Sequence, residues 1–301
     1  ENDSSYEEGL STYTQSLTSS VLKNEFKHGR RYHSYQSGAY MFPNDEREQD
    51  RLDMTHYIYF MTFNDRLFLA PIDLRDKRVL DIGTGTGIWA VQLGDDHPEA
   101  EQIIGNDLSA IQPSWTPPNV KFIIDDVELD WVEEQPYDFI HCRYMSGSIK
   151  DWTRLVQQCY NHLKPGGWIE FHDGDYHYYS EDGTFTEENY LHIMMSHLID
   201  ICTKIGRPLD FTPKIKGVVE KQGFTNVSEQ IFPVPAGGWP KDKRMKDIGR
   251  LCAVNVIEGV DAFTAAPFSE VLGWSRDEIE VLNAGVRQDC KRRDLHAMWN
   301  M

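Results

Sequence analysis

Closely spaced cysteines are what this 301-residue chain most plainly lacks. Its five, at 142, 159, 202, 252 and 290, lie far apart and never in CxxC spacing. That pattern argues against a disulfide framework and a structural zinc site, and for a reducing compartment. A cytoplasmic protein is the expectation, with the nucleus also open. Positive charge is short as well: 30 Lys and Arg stand against 48 Asp and Glu, a net charge of −18. Long-range attraction to nucleic acid or to an anionic membrane is therefore disfavoured. The clearest basic run, Lys241, Lys243, Arg244 and Lys246, reads as a solvated helix start with a local anion or partner contact as the alternative. No stretch reads as long and apolar enough to span a bilayer, so no membrane is expected. What is abundant is core material: 40% hydrophobic residues and eight tryptophans suit one large domain.

The organising stretch is Arg78 to Leu93, RVLDIGTGTGIWAVQL. Val79 and Leu80 favour a strand, Asp81 ends it, Gly83, Gly85 and Gly87 make a tight turn, and an apolar helical pattern follows. Such a turn places a small ligand at the carboxyl end of a parallel strand, because glycine permits positive φ and close backbone approach. Alone the run is weak, but acids end the next two strands. Gln102 to Asn106 leads to Asp107, 24 positions after Gly83, near the spacing for a carboxylate that accepts two ribose hydroxyls. Val120 to Ile124 leads to Asp125, Asp126 and Val127, where Asp126 suits an adenine amino group and the Val127 amide a ring nitrogen. Tyr137 to Cys142 and Trp168 to Phe171 read as the fourth and fifth strands, with an amphipathic helix over 151–163 between them. The alternation predicts an α/β, Rossmann-like, mostly parallel sheet with helices on both faces. At this level the ligand stays open between S-adenosylmethionine and NAD.

DIGTGTG, NDLS, IIDDVE, YDFIHCR and LKPGGWIEF resemble, in order and spacing, the motifs of class I S-adenosylmethionine-dependent methyltransferases. RRYHSYQSGAYMFPNDEREQDRLD, IGRPLDF and VLGWSRDEIE are similar to the fungal LaeA-like group, whose members are secondary-metabolism regulators or biosynthetic methyltransferases. The resemblance spans roughly residues 28 to 299. It implies S-adenosylmethionine as cofactor, S-adenosylhomocysteine as product, and a class I methyltransferase fold. It also assigns roles: Asp81, Gly83, Gly85 and Gly87 to the methionine part, Asp107 to the ribose, and Leu108 to packing against adenine. Asp126 and Val127 would read the adenine edge. Arg143 and Tyr40 complete the expected cofactor contacts, Tyr40 through a lid of clustered tyrosines that includes Tyr32 and Tyr35, with surface or packing aromatics as the alternative reading of that cluster.

The acceptor side is less defined. HDGDYHYYSEDG, from His172, leaves the carboxyl edge of the sheet and so is expected to face the pocket. A histidine there could take the proton an acceptor loses, which makes His172 the first candidate general base and His141 the next. Packing is the alternative role for each, and a nitrogen acceptor needs no strong base. His172, His177, Asp173 and Asp175 invite a metal, but no distant ligand is implied and none is expected. Helices are predicted at 21–27, from Asp45 through Phe63, over 184–205 and 215–222, through Ile257, and after Ser275. NVSEQIFPVP reads as a sixth strand. The closing seventh strand of the family is missing from the text, which suggests that the chain continues or was cut. The expected organisation is an N-terminal helical and lid segment (1–70), a cofactor-binding core (71–175) and substrate-side helices with the sixth strand (176–301), packed as one domain. Overall the expectation is methyl transfer to an oxygen or nitrogen of a small secondary metabolite. A regulatory protein acting through partners and a non-methylating enzyme on the same frame are the alternatives, and a protein partner or homodimer stays open.

Overall fold

A computed structural model describes residues 24–33, 41–132 and 134–301; Tyr35, Tyr40 and residues 21–23 lie outside them. The described residues open with a hairpin, β1 (Asn24–Lys27) and β2 (Arg30–His33), then α1 (Glu46–Thr62). The core follows as β3 (Arg78–Ile82), α2 (Ile88–Asp96), β4 (Gln102–Asp107), β5 (Val120–Ile124), β6 (Tyr137–Arg143), α3 (Trp152–His162) and β7 (Leu163–His172). Five strands pair in the order β5-β4-β3-β6-β7, all parallel. Every residue of β3 is buried, as a central strand covered on both faces requires.

Strand alternation sorts the sheet's side chains into two layers. Val79, Ile103 and Phe139 share one layer with Trp89 and Leu93 of α2, while Leu80, Ile104 and Ile140 share the other with Trp152 and Leu155 of α3. Full burial of each such side chain contributes roughly 1.5–3 kcal/mol. Successive carboxyl ends thus emerge side by side on one edge, with Asp81 in register with Gly105 and His141, and Asp107 with Ile124.

The rest of the chain caps that edge: β8 (Asp175–Tyr179), α4 (Tyr190–Lys204), α5 (Thr212–Gln222), β9 (Pro233–Pro235), α6 (Lys243–Leu272), α7 (Arg276–Lys291) and β10 (Met298–Asn300). A third and larger core binds α1, α4, α6 and α7 to β8, β9 and β10 through Met194, Leu198, Phe268, Leu282 and Trp299. Arg244 of the basic run donates to the Met61 carbonyl and pairs with Asp65, so it fastens α6 to the end of α1. Two N-caps appear where expected: Asp45 accepts from the Glu48 amide, and Ser275 with Glu278 forms a complete capping box.

Several expectations need correcting. The predicted helix at 21–27 gives way, within the described residues, to β1, because His28 and Gly29 both take positive φ and make a two-residue hairpin turn. The helix expected from Thr184 begins at Tyr190, since residue 189 still has extended backbone and its carboxamide accepts from the Thr186 amide. The segment after His172 contains β8, whose period-two tyrosines point Tyr176 and Tyr178 inward. The sixth strand is only three residues long. A further short strand, β10, lies antiparallel between β8 and β9 in a three-stranded sheet separate from the parallel one. Finally, α6 is 30 residues long and apolar enough to meet the length and composition test for a membrane span, contrary to expectation. It is mostly buried inside this fold and packs on α1, α4 and α7.

Candidate functional site

Two clefts meet over the carboxyl edge. The first holds about 1200 Å³ of empty space, its open mouth included, and gathers most of the acids and glycines singled out in the sequence. Asp81, Gly83, Gly85, Asp107, Leu108, Asp126, Val127 and Arg143 all line it. Gly87 does not. It caps α2 at φ 82°, with Phe122 packed where a Cβ would stand.

The glycine turn is shaped by its neighbours. Gly83 has φ 64°, and a Cβ there would lie 2.2 Å from the Met145 sulfur. The Thr84 amide donates to the Asn106 carbonyl at 2.8 Å, and the Gly85 amide to Asp107 Oδ2 at 2.9 Å. Asp107 Oδ1 accepts from the Ser109 amide at 2.9 Å. Each oxygen of Asp107 thus takes one amide and keeps lone pairs toward the cleft, the geometry that two vicinal hydroxyls require. Burial pushes Asp107 up to about 6 against those amides, and Asp81 to about 6 against the Thr84 hydroxyl. At the far end Asp126 accepts from the Glu128 amide at 2.9 Å.

Sequence reasoning passed over several lining residues. His56 accepts from Arg143 at Nδ1 (3.0 Å) and faces the Gln92 carboxamide oxygen at Nε2 (2.8 Å). Burial and the Arg143 charge push it down to about 4, so it is a neutral, fully engaged imidazole. Arg207 pairs with Glu128 at 3.0 Å and donates to the Ser148 carbonyl, anchoring the Asp126 end of the cleft. The IGRPLDF stretch contained it, but nothing in that stretch distinguishes a cleft arginine from a surface one.

The second cleft, about 860 Å³ with its mouth, is mostly apolar and aromatic. Tyr59, Tyr144, Tyr176, Phe263 and Trp299 line it with Met194 and Met195. Thr55, Tyr144 and Ser148 belong to both clefts, so Tyr144 stands at the junction. Its backbone is left-handed at φ 59°, a costly state for a bulky residue. The Tyr144 amide donates to the His172 carbonyl, and the next two amides both donate to Asp173 Oδ2 at 2.7 Å, which holds the turn. Arg51 ties the junction to the cap. It pairs with buried Glu48 at 2.7 Å and reaches the Tyr144 hydroxyl at 3.4 Å and Asn255 at 3.1 Å. Burial lifts the phenols of Tyr59, Tyr176 and Tyr178 well above their ordinary value.

The two histidines expected to act as bases are elsewhere. His141 is fully buried under the sheet edge against Asp81 and Trp89 and lines neither cleft. His172 is buried beside Phe63 and lines a separate cavity near Trp168 and Phe232. The cause is strand direction: position 172 pairs with Arg143 at the sheet's end, and its side chain turns below the edge. His177 and Asp175 form an exposed pair at 2.7 Å. Among the described residues no group of three or more His, Cys, Asp or Glu side chains is placed to hold a metal ion.

Comparison with known proteins identifies the family. A methyltransferase-domain family model matches residues 54–229. The chain is 58% identical over 285 residues to methyltransferase pytC of Aspergillus terreus, covering 95% of this chain and 88% of that one. It is 35% identical to the secondary metabolism regulator LAE1 of Cochliobolus heterostrophus, over 92% of each chain. To the protein-methionine methyltransferase laeA of Emericella nidulans it is 32% identical, over 91% of this chain and 74% of that one.

Proposed function

We propose, from the premise that the chain belongs to the class I S-adenosylmethionine-dependent methyltransferases and to their fungal pytC- and LaeA-related group, that it methylates an acidic oxygen of a small, largely apolar secondary metabolite. The cofactor supplies a methyl group on a sulfonium, already activated toward a nucleophile. The protein's part is to bind, align and exclude water. Asp107 would accept from the two ribose hydroxyls and Asp126 from the adenine amino group, while Asp81 and the glycine turn hold the methionine end. These residues fit the cofactor because Asp107 keeps lone pairs on both oxygens and the Gly83 turn leaves no room for a side chain.

The observation that carries the acceptor reading is the make-up of the second cleft. Among the described residues that line it there is no Asp, Glu, His or Lys, and Arg51 is its cation. The phenols of Tyr59, Tyr176 and Tyr178 are held neutral by burial, so they orient an acceptor and do not deprotonate it. Such a cavity favours a nucleophile that arrives ionised, such as a carboxylate, an enol or an acidic phenol. The Tyr144 hydroxyl, which accepts from Arg51 and keeps its own hydrogen to donate, would orient that oxygen toward the cofactor.

The test is incubation with radiolabelled S-adenosylmethionine and a panel of hydrophobic carboxylic acids, enols, phenols, amines and neutral alcohols. Transfer to members ionised at the assay pH is expected. Transfer confined to neutral alcohols, or none at all despite tight cofactor binding, would overturn the acceptor reading.

A further inference from the structure

Beneath the first cleft, four ionisable side chains from three adjacent strands form one line. Asp81 Oδ1 lies 2.7 Å from His141 Nδ1, His141 Nε2 lies 3.4 Å from His172 Nδ1, and His172 Nε2 lies 3.5 Å from Glu170 Oε1. Register builds the line, since Asp81 pairs with His141 and His141 with Glu170 across β3, β6 and β7. His141 stacks flat on Trp89, with ring centroids 3.8 Å apart and 3° between planes, and Phe63 closes over His172 at 4.6 Å. Glu170 Oε1 is fixed by the Leu69 amide at 2.6 Å. Asp81 faces the first cleft, whereas His172 and Glu170 face the separate cavity. The methylation mechanism uses neither histidine.

Counting hydrogens sets the tautomers. The first two gaps each close with one hydrogen. A hydrogen on His141 Nδ1 donates to Asp81 and leaves Nε2 to accept from His172 Nδ1. His172 Nε2 then faces Glu170 Oε1 at 3.5 Å, too far for more than a weak contact, and has no closer partner among the described residues. The opposite tautomer of His141 would set a lone pair against a carboxylate oxygen at 2.7 Å. Burial, with the charges of His172 and Arg143, holds His141 well below its ordinary value and so keeps it a neutral donor. Burial acts to raise Glu170, but the bond and charge of His172 outweigh it and hold the acid below the usual range.

We propose that His141 is a positioning residue for the cofactor: His172 and Glu170 lock its tautomer, so that it presents an N–H to Asp81 and keeps that carboxylate ionised and aimed at the cleft floor. This rests on the reading that Asp81 holds the methionine end of S-adenosylmethionine. The other groups facing Asp81 are the Thr84 hydroxyl from the turn, Arg143 from β6, His56 from α1, and Asp107 from β4 as a like charge. Those facing His141 are His172 and Glu170 from β7, Arg143 from its own strand, and His56 from α1. Removing the His141 N–H leaves Asp81 easier to protonate. Cofactor affinity would then fall away at a higher pH than in the unaltered protein.

The test combines calorimetry of S-adenosylhomocysteine binding between pH 5.5 and 8.5 with nitrogen-15 NMR of the imidazoles in the ligand-free protein. Asp81→Asn should weaken binding about tenfold, the worth of one charge-assisted hydrogen bond. His141→Leu should do the same near pH 7 and move the acid limb of the profile upward. His141→Asn, whose amide can stand in for Nδ1–H, should restore most of the affinity. In the unaltered protein His141 should show a protonated Nδ1 and bare Nε2 throughout, a readout that needs no variant to fold. Unchanged binding in Asp81→Asn would overturn the reading of Asp81 and the proposal with it. Weakened binding there, with a pH profile unmoved in His141→Leu, would overturn the role of His141 alone. So would a His141 ring that carries its proton on Nε2, or that titrates between pH 6 and 8.

Discussion

The two clefts touch at Tyr144 but are made of different material. The first is built mainly from strand ends and turns within one stretch, 81–149, with residues 43–56 and Arg207 closing it, and its polar contacts are backbone amides, carboxylates and a glycine turn. The second is built from α1, α4, α6, β8 and β10, parts up to 250 residues apart in sequence, and its contacts are rings and thioethers. A site of the first kind has chemistry that cannot be exchanged, because only glycine tolerates φ 64° beside Met145, and only a carboxylate takes two amides while keeping lone pairs. A site of the second kind tolerates many apolar residues of similar volume. The donor of the methyl group is therefore set by a short local sequence, and the acceptor by how distant helices close.

The sharpest break in that contrast is Asp107→Ala. Loss of the ribose acceptor should raise the dissociation constant for S-adenosylhomocysteine roughly 100-fold, the worth of two charge-assisted hydrogen bonds. Binding of an acceptor in the second cleft should hardly change. Calorimetry on the variant checks both, and Asp107→Asn separates lost charge from the stranded Gly85 and Ser109 amides. Equal weakening of donor and acceptor would mean that the clefts are one site.

Gly83→Ala comes next. The new methyl group meets the Met145 sulfur, in a backbone state unfavourable for alanine, at a cost of about 1–3 kcal/mol in stability. Cofactor affinity should fall about tenfold. Adding Met145→Ala should recover part of both losses, because it removes the clash but not the strain. A double variant no better than the single would show that the turn and the Tyr144 loop are not packed as described.

These same residues mark what was legible in the sequence. Alternation of strands and helices, three acids at successive strand ends and the glycine turn together specified the parallel sheet and most of the first cleft, since each depends on local geometry. The second cleft was not legible. Tyr144 reaches the junction only because Asp173, 29 residues later, folds its loop. Asp173 itself lay in a segment whose histidine drew attention as a base. That expectation failed on strand direction: His172 sits at the right place in the chain and faces below the edge. Nothing in the sequence sets Arg51 apart from the other charges of α1, yet it is almost wholly buried against Glu48 and Asn255. Long-range packing decided each of these, and no short motif carries it.

The second cleft can be broken separately. Val256 is half-buried on α6 and lines only that cavity. Val256→Phe should fill it, raising the acceptor KM about tenfold with the dissociation constant for S-adenosylhomocysteine unchanged within twofold, at a packing cost of about 1 kcal/mol. Steady-state kinetics with a methylated acceptor, beside calorimetry, distinguishes this from general loss of fold. An unchanged KM would move the acceptor out of the cavity.

The smallest effect concerns pH and sharpens the contrast from the donor side. Asp81 and Asp107 are raised by burial to about 6, from an unperturbed 3.8. A folded state with raised carboxyls binds more protons than the unfolded chain between those values. Their contribution to the stability of the cofactor-free protein is therefore full below pH 3.8 and lost as pH rises through about 6. Between pH 7 and 5 these two groups should together add about 2–3 kcal/mol, while the lowered carboxyls such as Asp45 and Asp138 withdraw support only further down. Cofactor binding has the opposite sign, because it draws on the ionised carboxylates. The rise in melting temperature caused by S-adenosylhomocysteine should accordingly shrink by about half from pH 7.5 to pH 5.5. Thermal melts with and without the ligand measure both trends at once, and Asp107→Asn should flatten each in part. A ligand-induced shift that grew on acidification would mean that these acids bind the cofactor in their protonated form. A small-molecule occupant of the second cleft that does not itself titrate in this pH range should give a shift that ignores it, because Tyr59, Tyr176 and Tyr178 stay neutral throughout.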